Sequence, residues 1–147
     1  MPEKETLERA AEDKAEGKSP STQAGEFVRE EIEHIREGRH GARSAKQAIA
    51  IGLSKARRAG VKLPPPEKGK TSKRTREQAK RDVKKGKKAA KKPSAKRSRA
   101  TLNALKREGH SAASKTALSR QAHKAAAKRS AAPRSRSAKK AAATRKK

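Results

Sequence analysis

The chain contains no cysteine, tryptophan or tyrosine, and its 147 residues include a single phenylalanine, Phe27. Without thiols there are no disulfides and no thiolate metal sites. Without aromatic rings there is no platform of the kind on which single-strand and RNA modules stack bases. The wedge that basic membrane-surface segments insert into lipid is also missing. No stretch approaches the ~18 apolar residues of a membrane span, and residues 1–17, dense in Glu and Lys, lack the apolar run of a secretory signal. These absences predict a soluble, cytoplasmic protein with no membrane partner.

Acidic residues are the next shortage, and a local one. From Lys84 to Lys147 the chain holds 23 Lys and Arg against one carboxylate, Glu108, and its only large apolar residues there are Leu102, Leu105 and Leu118. Residues 1–60 carry 12 basic and 11 acidic side chains, whereas residues 61–147 carry 31 and 4, so nearly all of the +28 net charge lies in the second part. A segment that buries so little does not offset roughly 1–2 kcal/mol of backbone entropy per ordered residue. The predicted fold class is therefore mostly α: a small helical hairpin or three-helix head followed by a largely disordered cationic tail.

Periodicity and end signals divide the chain further. Residues 1–18 read as a short polar helix or arm, ended by Gly17. Residues 19–63 form the α-helical head, with helices at about 20–37 and 44–59. In the first, Ser19 or Ser21 caps, Pro20 suits the opening turn and Gly38 stops the helix. Ala24, Phe27, Val28, Ile32 and Ile35 share one arc, with Glu26, Glu30, Glu33 and Glu37 opposite; Glu31 intrudes on the apolar side and must find a cation or point to an edge. In the second, Ser44 and Gln47 match a capping box, Gly52 permits close approach of its neighbour, and Gly60 with Pro64 to Pro66 ends it. Residues 64–72 are a Pro/Gly/Lys linker. Residues 73–147 are the basic low-complexity tail, with helix-capable patches at about 73–85, 99–108 and 112–129, and residues 130–147 are low-complexity Ala, Ser, Lys and Arg.

A block of like charge on a soluble chain points to a polyanion, and duplex nucleic acid needs no aromatic ring to be held by its phosphates. The expected function is non-enzymatic DNA binding, largely independent of sequence, possible in the nucleoid and in DNA compaction. The tail residues expected to carry it are Lys84, Lys85, Lys87, Lys88, Lys91, Lys92, Lys96, Arg97, Arg99, Lys106, Arg107, Lys124, Lys128, Arg129, Arg134, Arg136, Lys139, Lys140, Arg145, Lys146 and Lys147. In the head, Arg39, Arg43, Lys46, Lys55, Arg57 and Arg58 are candidates, since the polar side of the 44–59 helix has the form of a groove-entering face. Duplex DNA is favoured over RNA. The alternatives are a protein-interaction module whose helical head is the active element, and an RNA- or ribosome-associated basic protein. The state expected is a monomer or weak homodimer. The acidic side of the 20–37 helix, Glu26, Glu30, Glu33 and Glu37, offers a surface that holds a basic segment and tunes binding.

Catalytic and cofactor chemistry finds no motif. His34, His40, His110 and His123 are scattered without Cys partners and match no zinc spacing, so they are expected at the surface, with no metal and no cofactor. The glycines form neither a Walker A loop nor a dinucleotide fingerprint.

The segments STQAGEFVREEI, REGRHGARSAKQAIAIGLSKARRAG and VKLPPP, between Ser19 and Pro66, resemble a small bacterial family of uncharacterised proteins. Members of that family often end in Lys/Ala-rich tails and carry the label DNA-binding, which the resemblance implies for this chain. The tail is also similar in composition to linker-histone tails and bacterial histone-like proteins. The resemblance transfers no catalytic or ligand residues.

Overall fold

A computed structural model describes residues 1–88 and 94–145, and the described residues form seven α-helices and one 3-10 turn, with no strand among them. The helices are α1 (Lys4–Ala15), α2 (Pro20–Arg36), α3 (Ala45–Arg58), α4 (Lys73–Gly86), α5 (Ala95–Lys106), α6 (Lys115–Ala127) and α7 (Ala131–Arg145), with the 3-10 turn at Ser111–Ala113 between α5 and α6. None of the described helices is long and apolar enough to cross a membrane.

The centre of the fold is the α2–α3 hairpin. Ser19 and Ser44 cap the two helices by accepting from the Thr22 and Gln47 amides, and Gln47 Oε1 returns the contact by accepting from the Arg43 amide at 2.8 Å. Where the helices cross, a Cβ placed on Gly52 would lie 2.6 Å from the Val28 Cα. Only glycine lets the two backbones meet this closely.

Two apolar clusters flank the crossing. One joins Ala10 of α1, Ala24 and Phe27 of α2 and Ala56 of α3, with Leu53, Val61 and Leu63 against it. The other joins Ile35, Ala42 and Ala48 to Ala112 and Ala113, with Ile32 alongside. The second cluster is thus completed by residues from the C-terminal region.

The expectation of a largely disordered tail is corrected by the structure: α4, α5, α6 and α7 occupy most of the described residues after position 72. The entropy argument counted burial alone. Ala, Lys and Arg are among the strongest helix formers, so local backbone hydrogen bonds compensate where packing does not. Serine hydroxyls at Ser72 and Ser114 accept from the Thr75 and Ala117 amides and cap α4 and α6. Outside the expected patches, Ala131–Arg145 form α7, and Pro133 sits in its first turn, where a missing N–H costs little. The expected patches shift accordingly: 99–108 becomes Ala95–Lys106, and 112–129 becomes the 3-10 turn plus Lys115–Ala127.

Candidate nucleic-acid interface

The loop from α2 to α3 grips the C-terminal region. The Gly41 amide donates to the Leu105 carbonyl at 2.9 Å, and the Ala42 amide donates to the Gly109 carbonyl at 3.0 Å. Arg36 Nε donates to the Ala113 carbonyl at 2.9 Å. A Cβ on Gly41 would stand 1.9 Å from the Glu108 carbonyl oxygen, so the approach requires a glycine there. Ala112 and Ala113, at 4% and 0% exposure, then close the second cluster.

This docking creates a groove of about 250 Å³ between the start of α3 and the side of α6. Arg43, Ser44, Ala45 and Lys46 form one wall; Ala117, Arg120, Gln121 and Lys124 form the other, with Ser111 and Ala112 between them. The α6 residues recur at three- and four-residue spacing, which puts them on one face. Four cations converge on a groove that also receives the positive end of the α3 dipole. Arg43 approaches Glu108 at 3.5 Å while its side chain stays 82% exposed, so this one counter-charge is solvent-screened.

Of the residues predicted from sequence, Arg43, Lys46 and Lys124 line this groove. Arg120 was not among them, nor was Lys115, which borders a neighbouring depression with Arg36 and His110. Both lie on the segment that sequence inspection treated as undirected charge. The other described tail candidates, Lys84, Lys85, Lys87, Lys88, Lys96, Arg97, Arg99, Lys106, Arg107, Lys128, Arg129, Arg134, Arg136, Lys139, Lys140 and Arg145, are all exposed. Among the described residues none of them forms an ion pair with a carboxylate. Lys91, Lys92, Lys146 and Lys147 lie outside the described residues.

The polar side of α3 is not the open recognition face that its sequence suggested, because α4 lies across it. Ser54 Oγ donates to Asp82 Oδ2 at 2.7 Å, and Arg58 Nε donates to Asp82 Oδ1 at 2.8 Å. Arg57 is buried and donates to the Pro64 carbonyl, and burial holds its pKa below the ordinary arginine value. Lys55 turns inward to Glu31 at 2.7 Å and Glu30 at 3.2 Å. Burial opposes its charge, but the two carboxylates outweigh burial and raise its pKa. Arg39 pairs with Glu3 and, at 2.8 Å, with Glu37.

The acidic side of α2, expected to hold a basic segment, faces cations of the head in this structure. Glu26 takes Arg9 at 2.6 Å, Glu33 takes Arg29 at 2.9 Å and Glu37 takes Arg39. Glu30 is buried and accepts from the Glu3 amide at 3.0 Å as well as from Lys55. Glu31, expected to find a cation or point to an edge, is buried and pairs with Lys55.

The histidines depart from expectation too. His40 is 8% exposed rather than at the surface, and its ring lies edge-on to that of His34 with centroids 6.2 Å apart. His110 and His123 are exposed.

Residues 14–68 match DUF6496, a family of unknown function. The match covers the end of α1, the hairpin and the start of the linker, and leaves the groove wall formed by α6 outside it. No curated protein and no solved structure matches the chain.

Proposed function

We propose that the protein is a non-enzymatic DNA-binding protein that holds the phosphate backbone of duplex DNA largely without reading its sequence. The observation that carries this reading is the groove in which Arg43 and Lys46 of the head meet Arg120 and Lys124 of α6. It supplies a fixed contact point, and the exposed cations of α5, α6 and α7 extend the positive surface along the strand. Lys and Arg arranged in this way contact phosphate oxygens, which position a protein without specifying bases. The single aromatic ring supports duplex over single-stranded targets: Phe27 is 1% exposed and offers no base a stacking surface.

The test replaces the four groove cations in the full chain (Arg43→Gln, Lys46→Gln, Arg120→Gln and Lys124→Gln) and measures affinity for a duplex over a range of salt. The reading predicts weaker binding and a log–log salt slope shallower by about 3 to 4, since each lost phosphate contact removes about 0.9. Unchanged affinity and slope would remove the groove from the interface. Tighter binding to a structured RNA than to any duplex would transfer the reading to RNA.

A further inference from the structure

Glu31 and His34 lie one turn apart on α2, and Gly38 reverses the chain so that His40 returns beside them. One donor atom from each of these three residues lies within 4.8 Å of the others. Glu31 is 1% exposed, yet its Oε1 has no hydrogen-bond partner. It faces His40 Nε2 at 3.3 Å.

The hydrogen bond of the His40 ring leaves a lone pair confronting oxygen. His40 Nδ1 lies 3.1 Å from the Gly41 carbonyl and must carry the hydrogen of that contact. In a neutral ring, Nε2 is then an acceptor aimed at the buried carboxylate. His34 Nε2 is 3.0 Å from Arg39 Nη1 and 3.0 Å from Glu3 Oε1, and Arg39 Nη1 also donates to that Glu3 oxygen. Arginine only donates, so His34 Nε2 and the Glu3 oxygen both accept from Arg39, and a metal on this nitrogen takes the place of Arg39. Burying an acceptor against another acceptor is costly unless a proton or a metal cation lies between them, as the His40–Glu31 contact requires.

We propose that Glu31, His34 and His40 bind a zinc-class divalent metal ion. Two imidazoles and a carboxylate are the borderline donor set that Zn²⁺ takes with a fourth position left over, here open to water or Glu3. The 3.3 Å between Glu31 Oε1 and His40 Nε2 matches the edge of a tetrahedron with bonds of about 2.0–2.1 Å. The His40 Nδ1 contact to a backbone carbonyl is the orienting bond that metal-ligating histidines make through their other nitrogen. Lys55 neutralises the second Glu31 oxygen and leaves Oε1 for the metal. The two residues after His40 are Gly41 and Ala42, whose amides hold the C-terminal region. A metal on His40 stiffens this grip.

The test strips the full chain with chelator, titrates it with Co²⁺ and follows the visible absorption of a tetrahedral site, then displaces the cobalt with Zn²⁺. One equivalent of each is expected, together with slower amide exchange at Gly41 and Ala42. His40→Ala and His34→Ala should each weaken Co²⁺ binding by more than about tenfold, while the exposed His123→Ala should not. Far-UV circular dichroism verifies that each variant is folded; His34→Ala, at the rim, keeps the test decisive if His40→Ala unfolds. Absence of a stoichiometric cobalt spectrum would overturn the proposal, as would equal binding by His34→Ala and wild type. So would nitrogen chemical shifts showing His40 doubly protonated in the presence of Zn²⁺, because a proton would then occupy the place assigned to the metal.

Discussion

The Ala42 amide donates to the Gly109 carbonyl at 3.0 Å across 67 residues of chain. With the Gly41 contact beside it, this bond ties the segment from Leu105 to the first turns of α6 to the folded body. The groove cations owe their convergence to it, since Arg120 and Lys124 reach Arg43 and Lys46 only when Ala112 and Ala113 are seated.

Substituting Gly41 tests that docking. A Gly41→Val side chain collides with the Glu108 carbonyl and must displace the 105–113 segment. The expected result is lost protection of the Ala42 and Ala113 amides in hydrogen exchange, with α1, α2 and α3 still protected. Stability should fall by about 1–3 kcal/mol, the range for overpacking. Unchanged exchange at Ala42 would contradict the assigned contact.

The α2–α3 crossing makes a second prediction. Gly52→Leu forces the backbones apart at Val28 and should destabilise the head by at least about 1–3 kcal/mol in urea melts. Loss of protection should centre on Phe27 and Ala56, the buried pair on the same side of the crossing.

These two glycines differ in how far sequence alone could carry them. Gly52 lies among Ala45, Ala48 and Ala56 at helical spacing, so its use as a close-approach point is legible from period and residue size. The serine caps and the stop at Gly38 are local signals and are equally legible. The contact at Gly41 is not, because its partner is 67 residues away and the docking residues are alanines, which carry no hydrophobic signature in a Lys/Ala-rich segment. The meeting of His40 with Glu31 depends on a chain reversal whose outcome spacing rules do not encode. The covering of α3 by α4 depends on one acidic residue, Asp82, that composition averages away.

Asp82 is accordingly the third test. Buried to 1% exposure, it accepts from Ser54, Arg58 and Gln78 at 2.7–3.1 Å. Asp82→Ala leaves those donors unmatched and should cost about 1–3 kcal/mol, with α4 losing amide protection before α2. Uniform loss across the head would show that α4 is not a separable layer.

Stability should also depend on acid. Burial raises the Glu30 pKa, but the Glu3 amide, the Thr6 hydroxyl and Lys55 outweigh it and hold the carboxyl below its ordinary value. A carboxyl depressed in the folded state contributes stability that is fully present above its unfolded value of about 4.3 and is lost as pH falls through the lower folded value. Melts from pH 6 down to about 3 should show this decline. Glu30→Gln should flatten the decline; a wild-type curve without slope in that window would contradict the assignment.

The most direct measurement is the affinity of the full chain for duplex DNA as a function of salt, followed by fluorescence anisotropy on several unrelated sequences. If about ten of the exposed cations engage phosphates, the log–log slope should approach −9 on each of those duplexes. A slope near zero, or affinities that differ between sequences by more than about a thousandfold, would contradict backbone-directed binding.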